Sequence, residues 1–339
     1  MNERYSRQIL FSGIGKEGQA KLLEARAVII GCGALGSAQA ESLARAGVGK
    51  LRIADRDFVE SSNLQRQTMF TERDAAERIP KAVAAANHIK ELNREIEVEP
   101  EIVDVNHSNI ERLVKDADVV LDGTDNFATR YLINDACVKH KIDWIYGAAV
   151  GSYGVTMTVL PHQSPCLRCV FEAAPPAASA PTCDTAGVIM PIISVVAAVQ
   201  VAEALKLLTG QTANLHRSLM QFDVWRNEWR KINPGPPSPE CPTCGLLRFE
   251  TLEAASEEFA AVLCGRDAVQ ISPSQATSIN FKELAERLQP TGEVKFNDYL
   301  LRFRTGEFEL TVFQDARSII RGTNEVATAR SLYAKYIGN

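Results

Sequence analysis

The stretch Ala27-Val28-Ile29-Ile30-Gly31-Cys32-Gly33-Ala34-Leu35-Gly36, with Asp55 lying 19 residues beyond its last glycine, governs how the rest of this chain is read. Four consecutive apolar residues make the short run that a buried parallel strand needs. They lead directly into G-x-G-x-x-G. In that pattern Gly31 permits the tight turn, Gly33 lets backbone N–H groups approach phosphate, and Gly36 lets the following helix, expected to run to about Gly47, pack closely. A second strand, Lys50 to Ala54, ends in Asp55, where nucleotide-binding folds place the carboxylate that holds ribose hydroxyls. A bare glycine run also fits a purely structural turn. Its setting between strand, helix and spaced acid favours a nucleotide without saying which one.

Outward from this unit the alternation continues. Gly15 to Ala25 has helical spacing, and a short polar arm, Tyr5-Ser6-Arg7-Gln8, precedes it. After Asp55 comes a loop rich in long polar side chains, Arg56 to Gln67, costly to bury unless it binds something. Ile79-Pro80-Lys81 opens a helix, which puts the Lys81 charge at a positive helix end, out of place unless an anion is near. A strand at about Ile96 to Val103 follows, then a helix capped by Asn106 or Ser108, then the strand Ala117 to Leu121. That strand ends in Asp122-Gly123-Thr124-Asp125-Asn126, on the edge where open parallel sheets place ligands. A helix to about His140 and a strand from Trp144 to Ala149 complete the pattern of an α/β, doubly wound, mostly parallel sheet.

Further on, Gly151 to Leu160 alternates like a strand with one polar face. Glu172 to Asp184 carries three prolines among small residues and reads as a mobile loop. The apolar run Val188 to Val199 is interrupted by Pro191 and Ser194 and followed by Gln200 and Glu203. It reads as a buried helix extending to about Leu208 and stopping at Gly210, not as a bilayer span. Leu219 to Val224 and Glu228 to Ile232 look like a strand pair. The proline-rich 233–240 segment marks a boundary. Beyond it Leu300 to Arg304 and Glu307 to Phe313 form a credible hairpin around Thr305-Gly306, with helices at Phe281 to Leu288 and Val326 to Tyr336. The expected organisation is therefore a nucleotide-binding domain over 1–248 and a small α+β domain over 249–339.

Composition narrows the function. The 339 residues are 45% apolar and 23% charged, ordinary globular usage, with a net charge of −5 that gives no general attraction to nucleic acid or to anionic membranes. The mixed polar start Met1-Asn2-Glu3-Arg4-Tyr5 has none of the features of a secretory signal, so the chain is expected to be cytoplasmic. Eight cysteines in such a chain point to metal or catalysis more than to disulfides. Cys166-Leu167-Arg168-Cys169 and Cys241-Pro242-Thr243-Cys244 are two C-x-x-C pairs, and zinc is the default for four sulfur ligands. A redox role would want a thioredoxin-like setting, which the flanking sequence lacks. Of the other four cysteines, Cys32, Cys137 and Cys264 read as small packed residues.

Around the glycine run stand three cations, Arg7, Arg66 and Lys81, and three acids, Asp55, Asp57 and Asp125. Taken singly, each is a solvated surface charge. Taken together, they suit the cleavage of a triphosphate, which needs cations on the phosphates and a carboxylate for magnesium.

The combination of Arg7-Gln8, Gly31 to Gly36, Asp55-Arg56-Asp57, Ser62-Asn63-Leu64-Gln65-Arg66-Gln67, Pro80-Lys81, Gly123-Thr124-Asp125-Asn126 and the two cysteine pairs resembles the ThiF/MoeB family, bacterial relatives of the ubiquitin-activating enzymes. The likeness covers about residues 3–248. Leu263 to Asp267 and Tyr333 to Gly338 resemble, more weakly, the extension on some thiamine-type members. The resemblance implies an adenylyltransferase: the C-terminal glycine carboxylate of a ubiquitin-like sulfur carrier, of the ThiS or MoaD type, attacks the α-phosphate of ATP. It implies that Gly31, Gly33 and Gly36 line the nucleotide site with Asp57, Ser62, Gln67 and Asn126, that Asp55 holds the ribose, and that Asn63, Arg66 and Lys81 contact phosphates. Asp125 would hold Mg²⁺, and Arg7 would reach the site across a homodimer interface. Cys183 matches the position that forms a covalent link to the carrier in ThiF-like members; in MoeB-like members an external sulfur source, such as a cysteine desulfurase, finishes the reaction. Both readings of Cys183 stay open. Ala34 departs from the second glycine common in the family, a change that a helical backbone tolerates.

None of these motifs contains a histidine. A C-terminal carboxyl, with a pKa of about 3.3–3.7, is already an anion at neutral pH and needs no general base. Screening and aligning two anions is work for cations. Three alternatives remain at this stage. An NAD-dependent oxidoreductase leaves Arg66, Lys81, Asp125 and the cysteine pairs without a task. A noncatalytic scaffold usually lacks part of the ATP set, which is complete here. Adenylation of a tRNA base would fit a basic stripe that the acidic chain does not have.

Overall fold

A computed structural model describes residues 3–173, 183–253, 259–263, 267–273 and 278–338. The expected mobile segment over 172–184 falls largely outside these residues, and so does Cys264. The chain divides into two compact units, Met1–Ala254 and Ala255–Asn339.

The first unit is built on an eight-stranded sheet in the order β3-β2-β1-β4-β5-β6-β7-β8. The strands are β1 Arg26–Ile30, β2 Lys50–Asp55, β3 Glu97–Ile102, β4 Val119–Asp122, β5 Trp144–Val150, β6 Tyr153–Val159, β7 Leu219–Asp223 and β8 Glu228–Ile232. The first five run parallel and the last three pair antiparallel. Ile29 of β1 lies beside Ile53 of β2 on one side and Leu121 of β4 on the other.

Because successive strand residues face opposite ways, β1 feeds two cores. Ala27 and Ile29 join Leu43, Ile89 and Val201 beneath the helices Ala34–Ala46, Lys81–Leu92 and Met190–Thr209. Val28 and Ile30 join Ile110, Ile133 and Trp144 on the opposite side, under Ile110–Val114 and Phe127–His140. Both faces are covered, which explains why β1 and β4 are apolar almost throughout. The order of strands reverses between β1 and β4. The loops after these two strands therefore part and leave a crevice at their carboxyl ends.

One local expectation is corrected. The helix after β3 begins at Ile110, with Asn109 as its N-cap, not at Asn106 or Ser108. The Asn106 side chain instead accepts the Ser108 N–H (2.9 Å), and Asn109 Oδ1 accepts the Asn106 N–H (3.0 Å), so these polar side chains close a separate turn first. In the first unit, Met1–Ala254, Phe249 and Leu252 pack on the second core.

The Met190–Thr209 helix is long and apolar enough by composition to cross a bilayer, yet half of its most apolar stretch is buried. Gln200 and Glu203 are fully buried on it and bonded within the domain. Pro191 occupies its first turn, and Gly210, at φ 81°, ends it. It is a core helix, as its interrupted sequence predicts.

The second unit is a six-stranded antiparallel sheet, β11-β12-β13-β14-β10-β9. Its strands are β9 Phe259–Leu263, β10 Ala268–Ser272, β11 Glu293–Phe296, β12 Leu300–Thr305, β13 Phe308–Phe313 and β14 Ser318–Arg321. The helices Phe281–Leu288 and Val326–Tyr336 close over Val269, Phe303, Leu310 and Ile320. The β12–β13 hairpin turns at Gly306, where φ is +56°. The remaining four strands carry no turn signal as clear as Thr305-Gly306.

Candidate functional site

The crevice is shaped by four glycines, Gly31, Gly33 and Gly36 from the turn and helix after β1 and Gly123 from the loop after β4. Gly31 has φ +87°, and its N–H donates to the Ala54 carbonyl (2.8 Å), while the Gly123 N–H donates to the Ile30 carbonyl (2.8 Å). A Cβ on Gly36 would overlap the Gly31 carbonyl oxygen, and one on Gly31 would lie 2.8 Å from the Gly123 oxygen. The helix Ala34–Ala46 can approach the strand this closely only without side chains at these positions. Gly33 is its N-cap and supplies no side-chain cap, so the N–H groups of the first turn are left for an anion. A Cβ on Gly33 would meet nothing nearer than 4.0 Å.

Asp55 closes one wall. Its Oδ2 accepts the Cys32 N–H (2.6 Å) and its Oδ1 the Asp57 N–H (2.7 Å), so the carboxylate ties the end of β2 to the glycine turn. Burial pushes the Asp55 carboxyl above its ordinary range; the nearby Lys81 charge opposes this. Lys81, 4% exposed at the start of its helix, pairs with Asp57 Oδ2 (3.2 Å), and its N–H donates to the Asp57 carbonyl (2.9 Å). The anion that the sequence requires beside this lysine is thus supplied, in this chain, by Asp57.

A bridge between Phe58 and Pro80 fastens the polar loop to the same helix start. Asn63 and Gln67 are buried, at 2% and 3%. Asn63 Oδ1 accepts the Glu60 N–H (3.1 Å), whereas Gln67 Oε1 has no partner among the described residues. Ser62 is exposed. Half-buried Arg66 donates to its carbonyl (2.9 Å).

On the opposite wall Asp125 and Asn126 are exposed at the head of the Phe127–His140 helix, which Asn126 caps by accepting the Thr129 N–H (2.9 Å). Beneath them lies a set of groups that the sequence reading missed. Asp122, fully buried, accepts from the Thr124 N–H (2.8 Å) and hydroxyl (2.6 Å) and pairs with Arg130 Nε (3.2 Å). Burial pushes the Asp122 carboxyl up, with Arg130 the main opposing influence. Arg130 also donates to the Thr124 carbonyl (2.8 Å) and lies against the Phe127 and Tyr146 rings, 5.4 Å from each. An acid ending a buried strand, followed eight residues on by an arginine on the next helix, was the available signal.

Arg7 is not brought to this crevice. It is exposed on the short helix Ser6–Ile9, and its neighbour Gln8 donates to the Ala46 carbonyl (2.8 Å), at the far end of the helix that Gly33 begins. That helix has 13 residues, so its ends are about 20 Å apart, beyond the reach of an arginine side chain. Cys183 starts the four-residue helix Cys183–Ala186; its side chain is outside the described residues.

The four remaining predicted ligands form a separate centre. Cys166 Sγ lies 3.6 Å from Cys241 and 4.0 Å from Cys169, and Cys169 lies 3.3 Å from Cys244, all four sulfurs falling within 4.8 Å of one another. A tetrahedral ion with M–S bonds of about 2.3 Å requires S–S edges of about 3.8 Å, so the donor set fits. Burial pushes the Cys166 thiol up, and that of Cys244 up to about 12, while at Cys241 burial is outweighed by hydrogen bonds from its neighbours, which pull that thiol down.

Against known proteins, the ThiF family matches residues 5–243. Over its full length, and the full length of the relative, the chain is 47% identical to a sulfur carrier protein ThiS adenylyltransferase of Bacillus subtilis. It is 40% identical to a SAMP-activating enzyme E1 of Haloferax volcanii over 74% of this chain and 92% of that one. Among solved structures, E. coli MccB with ATP superposes with a TM-score of 0.63 at 24% identity, covering 72% of this chain and 75% of that one, a likeness of fold. With the family matched over residues 5–243 and 47% identity over the full length of a relative, the chain belongs to the ThiF family.

Proposed function

We infer that this protein is an ATP-dependent adenylyltransferase that activates the C-terminal glycine carboxylate of a ubiquitin-like sulfur carrier. The observation that carries the reading is the full-length identity of 47% to a ThiS adenylyltransferase. The crevice supports it independently: a phosphate-ready helix end, a ribose acid, a buried lysine and an exposed aspartate stand on its two walls.

In the reaction a carboxylate oxygen attacks the α-phosphorus, the bond to the pyrophosphate oxygen breaks, and acyl adenylate and pyrophosphate result. Both reactants are anions, so the protein's work is alignment and charge screening. The helix end at Gly33 takes the phosphates, Asp55 orients the ribose, and Lys81, steadied by Asp57, faces the triphosphate together with Arg66. Ser62, Asn63 and Gln67 shape the loop on the Asp55 wall, and Asn126 stands beside Asp125 on the opposite one. Asp125 is the carboxylate for Mg²⁺, which supplies charge neutralisation on the phosphates.

The chain acts as a homodimer in this reading. Arg7 is held too far from its own glycine turn to serve it, which favours service to the crevice of a second copy. Zinc is the ion for the four cysteines, since four thiolates in a tetrahedron select it over harder cations. The carrier is of the ThiS type, with the MoaD type second, and the protein works in the cytoplasm alongside a sulfur donor such as a cysteine desulfurase. Cys183 is the residue to test for a covalent link to the carrier.

The deciding experiment is ATP–pyrophosphate exchange with a ThiS-type and a MoaD-type carrier supplied separately. Exchange that requires a carrier ending in glycine, and is faster with the ThiS type, is expected. Reduction of NAD without any exchange would overturn the assignment in favour of an oxidoreductase.

A further inference from the structure

The helix Phe127–His140 leaves the Asp125 loop and is gripped along one face by both cysteine-bearing loops. From the first, the Leu167 N–H donates to Asn134 Oδ1 (2.9 Å), the Phe171 carbonyl accepts the Tyr131 hydroxyl (2.9 Å), and the Arg168 guanidinium sits 4.6 Å from the Tyr131 ring centre. From the second, the Thr243 hydroxyl donates to Asp135 Oδ1 (2.7 Å), and Thr251 donates to Asp135 Oδ2 through its hydroxyl (2.7 Å) and its N–H (3.2 Å). Residues 131, 134 and 135 are spaced to share one helix face.

Asp135 is the unusual member. It is 1% exposed and makes no ion pair among the described residues, and its hydrogen bonds come from residues flanking the second cysteine pair. A buried carboxylate satisfied only by neutral donors is costly to keep unless those donors are held in place, and Thr243 lies between Cys241 and Cys244. At its other end the helix is joined to the loop it serves. Asn126 caps it, and Arg130, one turn in, donates to the Thr124 carbonyl beside Asp125. The cysteine centre, the helix and the Asp125 loop are therefore joined by one continuous chain of hydrogen bonds, buried at Asn134 and Thr243, partly buried at Thr251 and Arg130, and exposed at the Asn126 cap.

We propose that the four-cysteine module is a clamp that sets the position of Asp125 and that Asp135 is the positioning residue joining clamp to helix. The proposal rests on the adenylyltransferase reading for its consequence in activity, but the clamp itself can be measured without turnover. The helix carries the position over the eight residue steps from Phe127 to Asp135, about 12 Å of rise, and its capped head joins it to Asp125.

The test removes the donors and keeps the cysteines: Thr251→Val alone, and Thr243→Val with Thr251→Val, compared with the matching serine variants. Three quantities are read on the full-length protein: bound metal, amide hydrogen exchange over residues 124–130, and carrier-dependent ATP–pyrophosphate exchange as a function of Mg²⁺. Metal content should stay full, amides at the head of the helix should exchange faster, and kcat/KM should fall about ten- to a hundredfold, as when an outer partner of a site is lost. More Mg²⁺ should be required for half-maximal rate, and the serine variants should restore both. Valine variants with full metal and unchanged amide exchange at 124–130 would overturn the clamp. Should the double variant fail to fold, Thr251→Val alone carries the same readouts. Absence of exchange activity in the wild type would instead sink the adenylyltransferase reading, and the amide measurement would still judge the clamp.

Discussion

Replacing Gly33 with alanine separates the space that folding needs from the space that the nucleotide needs. The added methyl meets no atom nearer than the Gly123 carbonyl oxygen at 4.0 Å, an ordinary contact, and the backbone φ of −79° is on the side that any residue adopts. With ψ at −144° the residue lies at the edge of the extended region, so the cost to stability is set at about 1 kcal/mol. That cost corresponds to a fall in melting temperature of about 2–4 °C for a domain of this size. The methyl does, however, stand beside the uncapped first turn of the Ala34–Ala46 helix, where the phosphates are expected. Losing one hydrogen bond to a charged group costs about 1.5–3 kcal/mol, which raises the dissociation constant about ten- to a hundredfold. Calorimetric titration with Mg·ATP and with adenosine, alongside a thermal melt, measures all three quantities. The expected pattern is a folded variant with weakened ATP binding and little change for adenosine. Wild-type ATP affinity in Gly33→Ala would refute the phosphate position. Gly36→Ala is the control: its methyl would fall on the Gly31 carbonyl oxygen, backbone that has no room to yield, so this variant should lose the fold of the turn and bind neither ligand.

Asp125→Ala should abolish carrier-dependent exchange while leaving the melting temperature close to wild type, because the side chain is exposed; near-normal exchange would remove Asp125 from the magnesium role. Cys241→Ser should bind less metal and melt earlier, and full metal content would refute the four-sulfur centre. Mixing inactive Arg7→Ala and inactive Lys81→Ala chains should restore up to about a quarter of wild-type activity, the share of intact sites formed by random pairing in a twofold dimer. No recovery on mixing, with dimers shown to exchange subunits, would place Arg7 in the service of its own chain or of none.

The fold was legible where a local pattern and a tertiary requirement coincide. Gly31 to Gly36 after an apolar run left few alternatives to a strand turning into a close-packed helix, and Asp55 did bond back to that turn through the Cys32 N–H. The hairpin around Gly306 was equally readable, because its turn chemistry is local. The strands β9, β10, β11 and β14 were not: β10 pairs with the distant β14, and the pairings between neighbours, β9 with β10, β11 with β12 and β13 with β14, carry no turn signal as clear as Thr305-Gly306. The start of the helix after β3 was misplaced because Asn106 and Asn109 satisfy each other's turn first.

For the candidate site, sequence alone supplied the residue types: glycines for phosphate, Asp55, Lys81, Asp125 and two cysteine pairs whose spacing suits one ion. Residue type follows from the chemistry to be done, so it can be read without coordinates. Only the tertiary structure decided which charges meet. It gave Lys81 its anion in Asp57, held Arg7 at the wrong end of a helix for its own crevice, and set Asp122 and Arg130 beneath the Asp125 loop. It also placed the sulfurs of Cys166 and Cys241 3.6 Å apart although 75 residues separate them in the chain. The physical reason is that a buried charge or thiol is satisfied by partners brought together through the packing of distant elements, and that packing has no period in the sequence.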